Sequence, residues 1–270
     1  MLTFRNFTIG FFVILLFFNA INFFICPGTN MLIIFFCANV HLFYYSLIIV
    51  YIIIPVVFSF FPCLEFHHKP VICKGDVNEK EVVLTFDDGP DPENTRIIMD
   101  ILDKVQVKAT FFIIGKKIKG NEELIRQIIR RGHKIGNHSY EHSKLWDLHL
   151  SGNLRNDIQK TKDLIFEVTG VNTNYFRPPY GVINPMVHGA LKGLDYKVIA
   201  WSKRSFDTIL KSEKIILRRM TGNLKPGDIL LFHDTSKLTI VILEQIIIAI
   251  QKENYRIVSL DKFINTDQHG

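Results

Sequence analysis

The hydrophobic and polar positions along the chain fall into two regimes. From Asn6 through Leu64 there is no Asp, Glu, Lys or Arg. Two apolar runs fill this stretch, residues 7–26 and 31–61, parted by Pro27, Gly28, Thr29 and Asn30. A helix needs roughly 20 apolar residues to span a bilayer, and each run is long enough. The turn residues between them stop one helix and start the next. The pattern predicts a two-helix transmembrane hairpin over residues 1–64. Its second run exceeds the minimum and is expected to tilt, or to break at Pro55 with its tail in the interface. His41, Tyr44 and Tyr45 are tolerated there as semi-polar residues. A secretory signal would have an apolar core of about 7–15 residues and a small-residue cleavage site. The first run is longer and a second follows at once, so a retained anchor is expected.

From Glu81 the period changes. Short β-branched or aromatic runs at 82–86, 110–114, 134–136, 174–176, 197–201, 228–232 and 256–259 read as strands. Segments of helical period separate them, at 93–105, 122–131, 154–168, 184–194, 213–222 and 239–252. Ile97, Ile98, Ile101 and Leu102 share one helix face, and Leu124, Ile125, Ile128 and Ile129 share another. Alternating strand and helix implies an α/β fold with parallel strands and crossover helices. About 180 residues is short for eight full β/α units. The expected fold is a distorted (β/α) barrel of about seven strands over 81–263, with 65–80 a linker and 264–270 a tail. Chemistry in such folds gathers after the strands' C-terminal ends.

Composition sharpens this division. A net charge of +6 on 270 residues with 21% charged describes an ordinary soluble protein. Yet all 26 Asp+Glu, and all but Arg5 of the 32 Lys+Arg, lie from Glu65 onward, while 15 of 23 Phe lie in the first 70 residues. That excludes disorder for the C-terminal part and a single soluble domain for the whole. Arg5 precedes the hairpin, and Lys69, Lys74 and Lys80 follow it. The positive-inside count would therefore place both ends in the cytoplasm. Cys26, Cys37 and Cys63 lie in or beside the runs and Cys73 in the linker, without metal-ligand spacing or a legible disulfide framework. Lys116, Lys117, Lys119, Arg130 and Arg131 lack the interleaved aromatics that stack bases. No nucleic-acid partner is expected, and no protein partner is inferable.

Five polar clusters follow strands. In Thr85-Phe86-Asp87-Asp88-Gly89-Pro90, adjacent carboxylates do not ionise cheaply without a cation or a split in pKa. Alone, the run also reads as an Asp-Gly-Pro turn. In His138-Ser139-Tyr140-Glu141-His142, two histidines four apart project to one side of a helical turn, as for a shared metal. Alone, they also read as polar loop residues; beside the Asp pair, a His–His–Asp metal site is favoured, with Glu141 a solvated neighbour. In Arg177-Pro178-Pro179-Tyr180-Gly181 the prolines remove donors, leaving the Tyr180 N–H to be aimed at an oxyanion. Arg177 is a fixed cation suited to a carboxylate. The fourth cluster runs from Trp201 through Ser202, Lys203, Arg204, Ser205 and Phe206 to Asp207. The fifth, Leu230-Leu231-Phe232-His233-Asp234, puts a proton-transfer group after an apolar strand.

The ordered set TFDDGP, HSYEH, RPPYG, Asp207 and LFHD resembles the polysaccharide deacetylase family with the NodB-homology domain, carbohydrate esterase family 4. The resemblance covers about Glu81 to Phe263. It implies a distorted (β/α) barrel that hydrolyses N-acetyl, or sometimes O-acetyl, groups on peptidoglycan, chitin-type polymers or xylan. It further implies that Asp88, His138 and His142 hold a divalent transition metal, zinc foremost and cobalt or a similar ion otherwise. Asp87 would be the general base, oriented by Arg177, and His233 the general acid. The Tyr180 N–H would bind the oxyanion, and Leu231 would line the acetyl-methyl pocket. The family pairs the fourth-motif aspartate with a tryptophan; here Asp207 is followed by Thr208, and can orient Arg177 or His233. The expected activity is N-deacetylation of an N-acetylglucosamine-containing polysaccharide, with the domain on the outer or periplasmic side, against the Lys/Arg count. The alternatives are an acetyl-xylan esterase or small-molecule amidase on the same site, or an inactive membrane-anchored glycan-binding module.

Overall fold

The computed structural model describes residues 3–25 and 31–265. The expected turn at Pro27, Gly28, Thr29 and Asn30 lies outside the described residues with Cys26, as do the side chains of Cys37 and His41. Two apolar helices open the chain, α1 (Phe4–Ile25) and α2 (Met31–Ser59). They pack antiparallel: Phe11 meets Tyr51 at 4.4 Å between ring centroids, and Phe18 meets Phe43 at 4.3 Å. Leu42–Ser59 is long and apolar enough to cross a membrane, whereas Phe4–Ala20 is a shorter apolar helix. Of the expected two spans, the described residues thus contain one that meets the length and composition of a spanning helix. Only 6% of it is buried, so it is not the core helix of a soluble fold. The helix does not break at Pro55. That residue sits one turn from the helix end, and its carbonyl accepts bonds from Ser59 Oγ and His67 Nε2, both at 2.8 Å.

Residues 65–80 are not a free linker. Val71–Ile72 forms strand β1, and Cys73 is joined to Cys63 by a disulfide with Cα atoms 5.8 Å apart. No spacing rule points to that bond: its cysteines lie ten residues apart, one before and one just after β1.

The remaining strands are β2 (Glu81–Gly89), β3 (Thr110–Ile113), β4 (Lys134–Asn137), β5 (Tyr175–Phe176), β6 (Lys197–Ile199), β7 (Lys203–Arg204), β8 (Asp228–His233) and β9 (Arg256–Ile257). Between and after them come α3 (Asn94–Lys104), α4 (Glu122–Arg130), α5 (Ser151–Thr169), α6 (Pro185–Leu191), α7 (Glu213–Thr221), α8 (Lys237–Lys252) and α9 (Leu260–Asn265). Among the described residues the sheet has nine strands where about seven were expected; β1 and β7, two residues each, are too short to show a period. Its order is β1-β6-β5-β4-β3-β2-β8-β7, with β9 beside the start of β2, and the strand pairings are parallel. The path is open between β1 and β7, giving a barrel with one seam, crossed by the segment from β6 to β7 that carries Trp201.

Alternation along the strands sorts side chains into two layers. On β2, Val82, Leu84 and Phe86 join the large outer cluster beneath the helices, with Ile98, Leu102 and Ile246. Val83 belongs to a second cluster with Phe112, Ile199, Ile229 and Phe263, which fills the barrel interior. Ile264, expected in the tail, is buried there on α9. Gly136 on β4 faces this interior, where an added Cβ would lie 2.4 Å from the Phe112 ring. The interior parity, Thr85 and Asp87 on β2 and Leu231 and His233 on β8, leads upward to one end of the barrel.

Candidate active site

Arg177 is the post on which the site stands. It is fully buried, stacked on the Phe112 ring at 4.1 Å. Its Nε donates to the Ile199 carbonyl (3.0 Å) and Nη2 to the Ala200 carbonyl (2.8 Å). Nη1 donates to Thr85 Oγ1 (2.9 Å) and to Asp87 Oδ1 (2.6 Å). A buried charge is tolerated only when paired and hydrogen-bonded, and here every arm of the guanidinium has an acceptor. Asp87 is thereby fixed with its other oxygen 3.7 Å from His138 Nε2.

A regular strand would send Asp88 to the opposite face from Asp87. Instead the register with β3 shifts between Phe86 and Gly89, and Asp88 takes a left-handed φ of 73°. The bulge turns the second carboxylate back into the same pocket. Asp88 Oδ1 lies 3.3 Å from His142 Nε2 and 3.5 Å from His138 Nε2. The two histidines are brought together without the helical turn that their spacing suggested. Residues 138–142 form a loop after β4, folded by left-handed Ser139 (φ 65°) and His142 (φ 46°). Asp157 on α5 pins that loop, accepting the N–H groups of Tyr140 (2.8 Å) and Glu141 (2.9 Å) and the Trp146 indole (2.9 Å). Glu141 itself is exposed and pairs with Lys116.

These donors suit a divalent metal. Ligand atoms of Asp88, His138 and His142 all lie within 4.8 Å of one another. His138 Nδ1 is engaged with the Arg177 carbonyl at 2.7 Å, which leaves Nε2 as the free ligand nitrogen. Burial and then the charge of His138 lower His142 to about 4, so it is a neutral imidazole near pH 7. Burial would raise Asp88, but the two histidines hold it below the usual carboxylate range, in its ionised form. A carboxylate and two imidazoles with room beside them are the ligand set of an open catalytic site.

On the opposite wall, Asp207 serves His233 and not Arg177, to which it makes no contact among the described residues. Its Oδ1 lies 2.7 Å from His233 Nδ1 and its Oδ2 accepts the His233 N–H at 2.8 Å. Ser205 Oγ (2.7 Å) and Thr239 Oγ1 complete the hold on its carboxylate. Burial opposes a charged His233, but the bond to Asp207 outweighs it and raises the pKa. Beside Gly89, burial raises Asp234 to about 7; an added Cβ on Gly89 would meet its Oδ2 at 2.1 Å.

Tyr180 follows the two prolines in a 3₁₀ turn (Pro179–Gly181) with a left-handed φ of 57° and stacks near the His142 ring at 4.9 Å. Gly181 packs under Trp201, where a Cβ would lie 2.3 Å from the indole. All nine expected residues are thus brought to one place: seven, Leu231 among them, line a pocket of about 110 Å³, and Arg177 and Asp207 support it from behind through Asp87 and His233. Trp201, Arg204 and Thr208 also line it. From the sequence alone these three carry no assigned role, and nothing singles out Asp157, which lies within the helix expected at 154–168.

A family profile described as polysaccharide deacetylase matches residues 74–199. A peptidoglycan-N-acetylglucosamine deacetylase of Bacillus cereus is 35% identical over 193 residues, covering 69% of this chain and 89% of that protein. The peptidoglycan-N-acetylglucosamine deacetylase PgdA of Listeria monocytogenes is 31% identical over 193 residues, or 72% of this chain; the chain spans 40% of that relative's length. Among solved structures, a CE4 family pseudoenzyme from Bacillus anthracis superposes with a TM-score of 0.67 at 28% identity, covering 72% of this chain and 68% of that one.

Proposed function

The chain belongs to the polysaccharide deacetylase family, and on that premise we propose that it is a metal-dependent hydrolase that removes N-acetyl groups from an N-acetylglucosamine-containing glycan, with peptidoglycan the foremost candidate. The observation that carries this reading is the convergence of Asp88, His138 and His142 opposite a separately held acid, His233. The metal, zinc by the carboxylate–imidazole donor set, would polarise the acetyl carbonyl and acidify water when bound.

The chain's own groups then act in order. Asp87, held by Arg177, takes a proton from the water that adds to the amide carbon. The Tyr180 N–H meets the oxyanion that develops, an interaction worth about 3 kcal/mol for one well-placed donor. Leu231 seats the acetyl methyl. His233, kept protonated by Asp207, gives its proton to the leaving nitrogen, since an amide anion leaves poorly. Acetate and a free amino sugar result.

The test is acetate release by the metal-loaded protein from N-acetylglucosamine oligomers, run beside acetylated xylan. Release from the oligomers is expected; release from xylan alone would replace the reading with an O-acetyl esterase. The pseudoenzyme among the structural relatives favours a second reading, an inactive glycan-binding module. Against it stand the base, the acid and all three metal-holding residues of this chain. We further place the catalytic domain outside the cytoplasmic membrane, anchored by α1 and α2, because the Cys63–Cys73 disulfide requires an oxidising compartment.

A further inference from the structure

A second cleft, of about 620 Å³, adjoins the catalytic pocket and is walled by Lys203, Arg204, Arg218 and Arg219. Arg204 lines both spaces. Its guanidinium stacks on Trp201 (5.5 Å) and on Phe206 (4.9 Å), and Arg219 covers the same Phe206 ring at 4.7 Å. Two arginines are therefore held against one aromatic ring. Lys203 is tied by its Nζ to the Gly222 carbonyl at 2.6 Å.

Several arginines elsewhere find carboxylates: Arg131 pairs with Asp100 and Asp103, Arg256 with Glu79 and Glu81, Arg126 and Arg130 with Glu123, while Arg96 and Arg155 donate to backbone carbonyls. Among the described residues, none of the four cations at this cleft has a carboxylate within ion-pair distance. The acid facing Lys203, Asp228, is engaged by Ser202 Oγ and the Lys225 N–H, both at 2.8 Å. Arg204 Nε is buried without a partner. Surface stacking alone explains the aromatic contacts, but not four cations without a carboxylate partner and an orphaned donor lining one cleft that shares Arg204 with the catalytic pocket. Guanidinium forks match carboxylates in geometry and charge.

We propose that this cleft binds a carboxylate carried by the glycan next to the sugar being deacetylated, so that the enzyme selects an acidic glycan over a neutral chitin-type chain. This rests on the deacetylase reading and names its substrate class. The sugar whose acetamide enters the catalytic pocket presents its neighbour's acidic substituent to Arg204 and Arg219, while Lys203 and Arg218 supply further positive charge.

The test uses the full chain, metal-loaded in detergent, and three tetrasaccharides. One is all N-acetylglucosamine; one alternates it with a lactyl-ether sugar bearing a free carboxylate; the third has that carboxylate converted to an amide. Binding is read from the fluorescence of Trp201, the other tryptophan, Trp146, being buried. Wild type is expected to bind the carboxylate form about tenfold or more tighter than the amide form, with the preference shrinking as salt rises. Arg218→Gln with Arg219→Gln brings the ratio near one, and Arg219→Lys restores part of it. Because the readout is a ratio, a poorly folded variant lowers both arms and does not imitate the effect. Equal binding of acid and amide by wild type, or an unchanged ratio in the double variant, overturns the proposal. A carboxylate preference without acetate release from any substrate would leave the cleft assigned and overturn the deacetylase reading instead.

Discussion

Side chains of a regular strand alternate between faces, so Asp87 and Asp88 would point to opposite sides of the barrel wall. One left-handed residue cancels that alternation and places both in the pocket, where their jobs separate by partner. Asp87 is bound to Arg177, and Asp88 faces the two histidines. Asp87→Asn is therefore expected to keep the metal and lose two to four orders of magnitude in turnover, roughly the worth of a general base. His138→Ala should lose both; equal metal loss in the two variants, measured by elemental analysis, would contradict the division. A residue away from the site gives a second prediction. Burial first, and then the charge of Lys108, lower His133 to about 4, and its Nδ1 accepts the Ala109 N–H at 3.2 Å as a neutral ring. Its folded-state pKa lies below the ordinary value. The stabilisation is thus fully present above about pH 6.5 and is lost as pH falls towards 4, up to roughly 3 kcal/mol. His133→Gln keeps an acceptor and removes this titration. Denaturation midpoints should fall more steeply for wild type than for the variant over that range, and parallel curves would refute the assignment.

At the scale of elements, the loop 138–146 owes its shape to α5, whose Asp157 collects three N–H groups from it. Asp157→Ala should weaken metal affinity by about 10–100-fold, as loss of a supporting partner does, while the fold's circular dichroism stays intact. Unchanged affinity in a competition titration would show that the loop holds its own shape. This dependence was not legible in the sequence, because a polar residue on an amphipathic helix reads as solvated unless its neighbours are known. Strands β2, β3 and β8 were legible, since buried parallel strands read as near-continuous apolar runs. The approach of the two histidines to each other was legible for a reason that differs from the structure, which uses a left-handed loop in place of a helical turn. Strands β1 and β7 left no trace. Each is two residues long, and their pairing is set by the barrel around them. The open cleft beside β7 was hidden with it.

For the molecule as a whole, the apolar helices and the catalytic domain meet through contacts rather than through a tether. The Ile183 N–H donates to the Ser59 carbonyl at 2.9 Å, the Phe4 N–H to the Phe66 carbonyl at 2.7 Å, and Cys63 is bonded to Cys73. An outward-facing domain predicts that protease added to intact cells or spheroplasts cleaves the region after Glu65. Full protection until the membrane is permeabilised would put the domain inside and make the disulfide untenable there. The positive-inside count points the other way, and with so few charges flanking the helices it weighs little beside the disulfide. A flexible coil the length of residues 65–80 would let its cargo roam roughly 20 Å from its anchor. Here Val71–Ile72 within that stretch form the barrel's first strand and Cys73 is bonded to Cys63, so the tether has little slack. With the helices in a bilayer, the catalytic pocket works at one fixed height, like a plane set to a single depth. On the proposed anchoring, the pocket would reach only glycan lying at that height over the membrane surface.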